Sequence, residues 1–375
     1  MKITVTQQQL AHGLSLVSKA IAPRSTLPVL ANVFLATDEG RLRLSATNLE
    51  MGITCWIGAR IEQEGQITVP ARTFGDLVSA LPAEDVTIDV EDKTHTLNVR
   101  CGKNITDIKG IDAQEFPPIP VPELKGGIPL DVAEFKEMVQ QVTFAASSDE
   151  ARPVLQGALL ELNENKLSLV ATDGFRISVR KVELSEPVEK PQRLIIPARA
   201  LNEVARIATG SDEPLIMVVP PQRGQVIFHT ANAELVSQLI DGNYPDYKAI
   251  VPTNYKTMVT FSTPAFLKAC RQAEIIAREG SNVVVLSVLP ENGGPARVEL
   301  SAQSEETGQS EVQVDANLSG PPITIAFNVR YLREVLDVIS TPNVVLEANA
   351  KNTPAMLCPA GDNTFQHIVM PMHVN

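Results

Sequence analysis

What most constrains this 375-residue sequence is that it repeats itself. An apolar run breaks and enters a helical pattern at Ile67-Thr68-Val69-Pro70-Ala71-Arg72. The same happens at Leu194-Ile195-Ile196-Pro197-Ala198-Arg199 and at Ile325-Ala326-Phe327-Asn328-Val329-Arg330. Behind each run, apolar residues fall at i, i+3, i+4 and i+7: Phe74, Leu77, Val78, Leu81; Leu201, Val204, Ala205, Ala208; Leu332, Val335, Leu336, Ile339. That spacing is one apolar stripe along a helix. Aligning Pro70, Pro197 and Asn328 gives offsets of 127 and 131 residues. A second stripe recurs as Leu10, Leu14, Val17, then Phe135, Val139, Val142, then Phe266, Cys270, Ala273, at offsets of 125 and 131. A strand-like element recurs as well. Leu42 to Asn48 matches Leu167 to Asp173 and Val298 to Ser304. Three elements in one order at matching offsets predict three domains of one fold, each with two helices and several short strands.

Proline marks the joins, at Phe116-Pro117-Pro118-Ile119-Pro120-Val121-Pro122 and from Tyr244-Pro245 to Pro252. Stiff links of this kind hold domains at set angles. The expected domains are therefore 1–125, 126–252 and 253–375. Asp131 and Ser262 or Thr263 stand where the first helices of the second and third copies need a cap.

Composition removes several function classes. A hydrophobic content of 44% with mean hydropathy +0.02 suits soluble domains with sizeable cores. No run of 18 apolar residues could span a bilayer, and MKITVTQQQL has no apolar core of a secretory signal. Cys55, Cys101, Cys270 and Cys358 lie too far apart in sequence for a local zinc motif, and they do not suggest a disulfide framework. The expectation is a reducing, cytoplasmic setting with no metal and no cofactor. His12, His95, His229, His367 and His373 form no metal-spaced pair, and no phosphate-binding glycine loop occurs. Asp173, in Ala171-Thr172-Asp173-Gly174-Phe175-Arg176, is the one acid that invites a catalytic reading. Its counterparts in the other copies are Asn48 and Ser304. A fold whose copies drop the acid does not depend on it for chemistry, so the stretch reads as a tight turn and the chain as no enzyme.

The net charge of -12 speaks against a surface that grips nucleic acid everywhere. The charge is uneven. The six helical segments, 6–21, 71–81, 131–147, 198–208, 262–278 and 329–340, hold ten Lys or Arg against eight Asp or Glu, and the remainder carries -14. In any one helix this is an ordinary solvated face; its repetition is what suggests function.

In its three-fold repeat, and in five motifs in order, the chain resembles the bacterial DNA polymerase III β subunits, the replicative sliding clamps. The motifs are Pro23 to Leu30, Ala171 to Arg176, Asp241-Gly242-Asn243-Tyr244-Pro245-Asp246-Tyr247, Phe327-Asn328-Val329 and Val369-Met370-Pro371-Met372. The resemblance runs the full length. It implies an α+β fold of three DNA-clamp domains with antiparallel sheets, in a head-to-tail homodimer closed around duplex DNA. Size agrees with two chains. Helices about 10 Å wide set side by side leave roughly 9 Å clear if six form the circle and roughly 28 Å if twelve do. A duplex on the order of 20 Å across needs the second. A weak, sequence-independent basic lining suits sliding. The DNA-facing set expected here is Arg24, Arg72, Arg199, Arg206, Lys268, Arg271 and Arg278.

The resemblance also implies a pocket in each protomer that docks short peptides of polymerases, the clamp loader and repair factors. Carried over motif by motif, it comprises Leu155, Thr172, Gly174, Phe175, Arg176, Ile177, Pro245, Ile250, Asn328, Tyr331, Val369, Met370, Pro371 and Met372. Methionine suits a surface that accepts several related peptides. Phe175 stands where the family often has a polar residue, which makes the pocket more apolar. The ending His373-Val374-Asn375 also departs from the family, as do Pro153 and Val154. A repeat-built scaffold that never touches DNA is the alternative reading.

Overall fold

The computed structural model describes residues 1–22, 24–120, 123–209, 213–221, 223–290 and 296–373. Pro23, Val121-Pro122 of the first link and Val374-Asn375 of the tail lie outside the described residues. The first repeat runs β1 (Lys2–Thr6), α1 (Gln7–Val17), β2 (Asn32–Asp38), β3 (Arg41–Thr47), β4 (Met51–Gly58), β5 (Arg60–Gln63), β6 (Gln66–Pro70), α2 (Ala71–Ala80), β7 (Asp85–Glu91), β8 (Thr96–Cys101) and β9 (Asn104–Lys109). The second runs β10 (Ile128–Leu130), α3 (Val132–Val142), β11 (Gly157–Asn163), β12 (Lys166–Thr172), β13 (Arg176–Glu183), β14 (Gln192–Pro197), α4 (Ala198–Ile207), β15 (Leu215–Val218), β16 (Gln225–His229) and β17 (Ala233–Gln238). The third runs β18 (Thr257–Ser262), α5 (Thr263–Ala277), β19 (Val283–Leu289), β20 (Ala296–Ser304), β21 (Gly308–Ser319), β22 (Thr324–Asn328), α6 (Val329–Leu336), β23 (Asn343–Ala348), β24 (Ala355–Pro359) and β25 (Phe365–Val369). The order is the same each time; β5 alone is an extra.

The helices begin where their polar residues can take up free backbone donors. Thr6 accepts from the Gln9 amide at 3.3 Å, and Asp131 accepts from Glu134 at 2.8 Å. Ser262 departs from expectation. It occupies the cap position of α5, yet its side chain makes no capping bond; Pro264, which has no N–H to satisfy, fills the first turn instead. The apolar stripes are buried as their spacing demands, except that Leu77 and Leu81 of the α2 stripe are half-buried. Phe135, Val139 and Val142 are at most 2% exposed, as are Leu332, Val335 and Leu336. Phe266 of α5 stacks on Phe261 at 4.2 Å between ring centres. Each such side chain contributes about 1.5–3 kcal/mol by leaving water.

Two compact units emerge, residues 1–135 with 200–239 and residues 136–199 with 240–375. The first holds a five-stranded sheet, β5-β1-β7-β8-β9, and an eight-stranded sheet, β10-β15-β16-β17-β4-β3-β2-β6. The second holds one twelve-stranded sheet, β14-β11-β12-β13-β25-β24-β23-β18-β21-β20-β19-β22. The pairings recorded between these strands are all antiparallel. Consecutive repeats are thus joined edge to edge. In the first unit β17 pairs with β4, Ala233 to Ser237 against Cys55 to Met51. In the second β25 pairs with β13, Phe365 to Val369 against Arg180 to Arg176. The equivalent edges at the two ends of the series remain open among the described residues. β9 pairs with β8 alone, and residues 308–315 of β21 pair with β20 alone.

Candidate functional site

The site lies in the second unit and starts from the turn between β12 and β13. Asp173 Oδ1 accepts from the amides of Phe175 (2.9 Å) and Arg176 (3.1 Å). Thr172 Oγ1 donates to the Arg176 carbonyl at 2.7 Å and accepts from the Gly174 amide at 3.0 Å. Gly174 has φ +95°, a conformation that side chains disfavour. Asp173 is occupied in holding this turn, and the turn turns Phe175 outward, 57% exposed.

Arg176 points the other way and is 5% exposed. A buried guanidinium needs its donors satisfied. Its Nε donates to Asp173 Oδ2 at 3.1 Å, one terminal nitrogen donates to the Phe144 carbonyl at 2.7 Å, and the other pairs with Glu334 of α6. It lies 4.5 Å over the Tyr331 ring and 5.2 Å from that of Phe144. Burial pushes the Glu334 carboxyl up, but hydrogen bonds from Arg330 and Arg176 outweigh it, so it titrates below the ordinary range. Next door, His367 of β25 is fully buried, with Nδ1 2.7 Å from Ser178 Oγ. Burial, then the charge of Arg176, holds this imidazole well below its ordinary pKa, so it is neutral at pH 7.

Above this base is a cavity of about 180 Å³, lined by Leu155, Thr172, Gly174, Phe175, Arg176, Ile177, Pro245, Tyr247, Ile250, Ile368 and Met370. Tyr244, buried with its hydroxyl 3.3 Å from the carbonyls of Gly157 and Val170, ties down the segment that carries Pro245 and Tyr247. The Met370 amide donates to the Phe175 carbonyl at 2.9 Å, which sets Met370 on the rim. Ile250 and Met370 are 42% and 39% exposed. The walls are apolar and open to water, which suits an apolar ligand rather than a reaction.

The structure gathers Leu155, Thr172, Gly174, Phe175, Arg176, Ile177, Pro245, Ile250 and Met370 around this cavity. Five others fall outside its walls. Asn328 caps α6, accepting from Arg330 N at 3.0 Å. Tyr331 lies against Arg176 from below. Val369 faces the core of the third repeat and is fully buried. Pro371 and Met372 continue past the cavity, Met372 donating to the Ala326 carbonyl at 2.8 Å. Tyr247 and Ile368 line the cavity without having been singled out. Both had a signal: Tyr247 closes the Asp241–Tyr247 motif, and strand alternation from Met370 leads to Ile368, not Val369.

The basic residues sit in each unit as follows. In the first, Arg72 of α2 is almost wholly exposed, 3.9 Å from Asp76, and Arg24 is exposed in the segment after α1 rather than on a helix. Arg206 of α4 is half-buried, bonded to Glu203 at 2.7 Å and to the Leu16 carbonyl at 3.0 Å. In the second, Arg199, Lys268, Arg271 and Arg278 are exposed. Arg271 pairs with Asp337 of α6 at 2.6 Å and Arg278 with Glu279 at 3.1 Å. Among the described residues, no three His, Cys, Asp or Glu side chains are grouped to hold a metal ion, and no helix is long and apolar enough to cross a membrane.

Comparison with known proteins gives three matches in register with the repeats. Residues 1–120, 129–246 and 248–373 match the N-terminal, central and C-terminal domains of the DNA polymerase III beta subunit. The chain is 34% identical to the beta sliding clamp of Synechococcus elongatus over the full length of both, and 31% identical to that of Staphylococcus aureus over 99% of both. Its structure is similar to that of the DNA polymerase sliding clamp of Bacillus subtilis, with a TM-score of 0.93 at 28% identity over both whole chains. A Pseudomonas aeruginosa sliding clamp solved bound to griselimycin matches at 0.91 and 27%, again over both whole chains.

Proposed function

Because the chain belongs to the bacterial DNA polymerase III β subunits, the β sliding clamps, we propose that two copies close head to tail into a ring around duplex DNA and tether the replicative polymerase to it. The carrying observation is the pair of open edges. The fold uses the same antiparallel joint twice, β4 with β17 and β13 with β25. The third joint would pair β21 with β9, and both strands have free edges. A second copy supplies the missing partner at each end, so the series closes after six repeats and leaves no exposed edge. Side chains favour that match. Glu305, Glu306, Glu311 and Asp315 lie on or before β21, whereas Lys103 precedes β9 and Lys109 ends it, with Asp107 the one acid on that strand. Ile105 of β9 is 64% exposed and Ile275 of α5 is 56% exposed, apolar surface that a second copy would cover.

The lining we assign to Arg24, Arg72, Arg199, Arg206, Lys268, Arg271 and Arg278. Several of these already share an acid, so each adds little affinity for phosphate, which suits a ring that must slide. The cavity beside Arg176 we assign to the docking peptides of polymerases, the clamp loader and repair factors. The role is topological and takes place in the bacterial cytoplasm, where the chromosome lies. Loaded by a clamp loader onto nicked circular duplex, the protein should stay with the circle through gel filtration and leave once the circle is cut. Retention after linearisation overturns the ring and restores the scaffold reading.

A further inference from the structure

We propose that a basic groove on the outer face of the second repeat binds an acidic stretch flanking the docked peptide, so that charge beside the motif sets which partners bind more tightly. The inference rests on the peptide-docking reading of the pocket. The groove, about 780 Å³, adjoins it. Tyr247 lines both cavities. They are two ends of one sheet face. On β13 that face runs Ile177, Val179, Lys181; on β12 it runs Val170, Ser168, Lys166; on β11 it passes from Leu159 to Glu161; on β14 it passes from Ile195 to Arg193. Two residues along β11, β13 and β14 the surface changes from apolar to charged; on β12 it passes through Ser168 to Lys166. Ile177 to Lys181 is four residues, about 13 Å of strand. A peptide leaving the pocket extended reaches the groove within about four to six residues.

The charge there is mainly positive in a chain whose net charge is -12. Four cations, Lys166, Lys181, Arg193 and Lys248, line the groove with one carboxylate, Glu161. Glu161 is already shared: it accepts from the Tyr247 hydroxyl at 2.7 Å and lies 3.5 Å from Lys248 Nζ and 3.8 Å from Arg193 Nε. Lys166 has Glu183 opposite it in the ladder, with no ion pair formed between them among the described residues. Lys181 stands next to Ser168. Their ammonium groups are thus exposed and available to an incoming carboxylate. Charged pairs at such sites are individually weak and salt-sensitive, so the contribution is to selectivity rather than to binding as such.

The test uses the full-length protein and the docking peptide of its own replicative polymerase in three forms: alone, with four glutamates added at either end, and with four serines added at the same place. Fluorescence anisotropy at about 0.05 M salt is expected to show a roughly five-fold gain for one glutamate form, none for serine, and loss of the gain near 0.5 M. Lys166→Gln with Lys181→Gln should abolish the gain and leave the plain peptide's affinity and the melting temperature unchanged. No gain at either end, or a gain indifferent to the double variant, overturns the proposal. So does an oligothymidylate that binds through these lysines while glutamate adds nothing, which makes the groove a nucleic-acid contact. If the plain peptide does not bind at all, the pocket assignment itself fails, and this inference falls with it.

Discussion

The two joints between repeats have almost the same backbone and different chemistry. At the first, Thr47 Oγ1 donates to the Met51 carbonyl at 3.1 Å, Asn48 Oδ1 accepts from the Glu50 and Met51 amides, and the Gln238 amide donates to the Glu50 carbonyl at 2.8 Å. At the second, Thr172, Asp173, Phe175, Arg176 and Met370 make the same bonds position for position. The side chains diverge. Where the second joint has Ile177 in the pocket, the first has Gly52, with Ile119 of the first link 3.4 Å from where its Cβ would lie. The first joint's counterpart of the pocket is therefore covered by the chain itself. Where the second joint buries Arg176 and His367, the first buries Met51 and Leu235. A binding site has been made by exchanging side chains on a joint whose hydrogen bonds were kept.

If that is so, moving residues between joints should separate fold from function. Arg176→Met imports the first joint's residue, leaves Asp173 without its cation and takes from Glu334 one of its two close partners, Arg330 remaining at 2.6 Å. Removing one partner of a buried pair costs about 3–5 kcal/mol, so the melting temperature of the variant should fall sharply. Adding Glu334→Gln should recover part of the loss; a strictly additive double variant would show that the two side chains do not act as a pair. Deleting residues 370–375, the last two of them outside the described residues, should weaken partner-peptide binding about 100-fold or more, close to 2.7 kcal/mol. Gel filtration should still give a dimer, because the open edges lie on β9 and β21. Gln238→Ala at the first joint should leave the same titration unchanged, and calorimetry would reveal a misplaced pocket as an unaltered affinity in the truncated protein.

Much of this was legible in the sequence, and the exceptions have physical causes. Periodicity located the six described helices and most of their buried stripes, because a helix must place i, i+3 and i+4 on one face whatever it packs against; Leu77 and Leu81 of the α2 stripe are only half-buried. The turn at Asp173-Gly174 was legible from two residues with strong local preferences. The joints were not. Alternation in β4 or β13 says that a strand exists but not which strand, some 180 residues away, lies alongside it. The partners of Arg176 were hidden for the same reason, since Glu334 is 158 positions distant. Ser262 marked a helix start correctly and still did not cap it, since a preference for a position does not compel a bond.

Acid should distinguish the joints next. His367 is neutral in the folded protein, whereas unfolded it takes a proton near its ordinary value of 6.5. Below pH 6.5 the unfolded state therefore binds more protons than the folded one, and stability falls with pH by up to about 1.4 kcal/mol per unit from this group. His367→Leu, the first joint's residue, should remove that part of the slope between pH 6.5 and 5 in chemical denaturation. An unchanged slope would mean that the buried imidazole is protonated in the fold after all. Glu334 contributes in the same direction but lower on the scale, because its depressed titration means its stabilisation is lost only as pH falls through the carboxylate range.

The smallest effect is the one whose sign matters. The third residue of each turn has positive φ, +74° at Leu49 and +95° at Gly174. A side chain there costs about 1–2 kcal/mol, offset in part by the greater freedom glycine has when unfolded. Gly174→Ala should therefore destabilise by about 1 kcal/mol. Its methyl group would come 3.3 Å from the terminal nitrogen of Arg152 that donates to the Asp173 carbonyl at 3.0 Å, so a small shift of that side chain adds to the backbone strain. Leu49 is 51% exposed and loses little packing on truncation, so Leu49→Gly should be neutral or stabilising by a few tenths of a kcal/mol. Opposite signs at equivalent positions would show that both turns keep one backbone and that the first tolerates a residual strain the second has shed. If both substitutions destabilised alike, Leu49 would be held by contacts of its own, and the two turns would be alike in hydrogen bonding but not in energy.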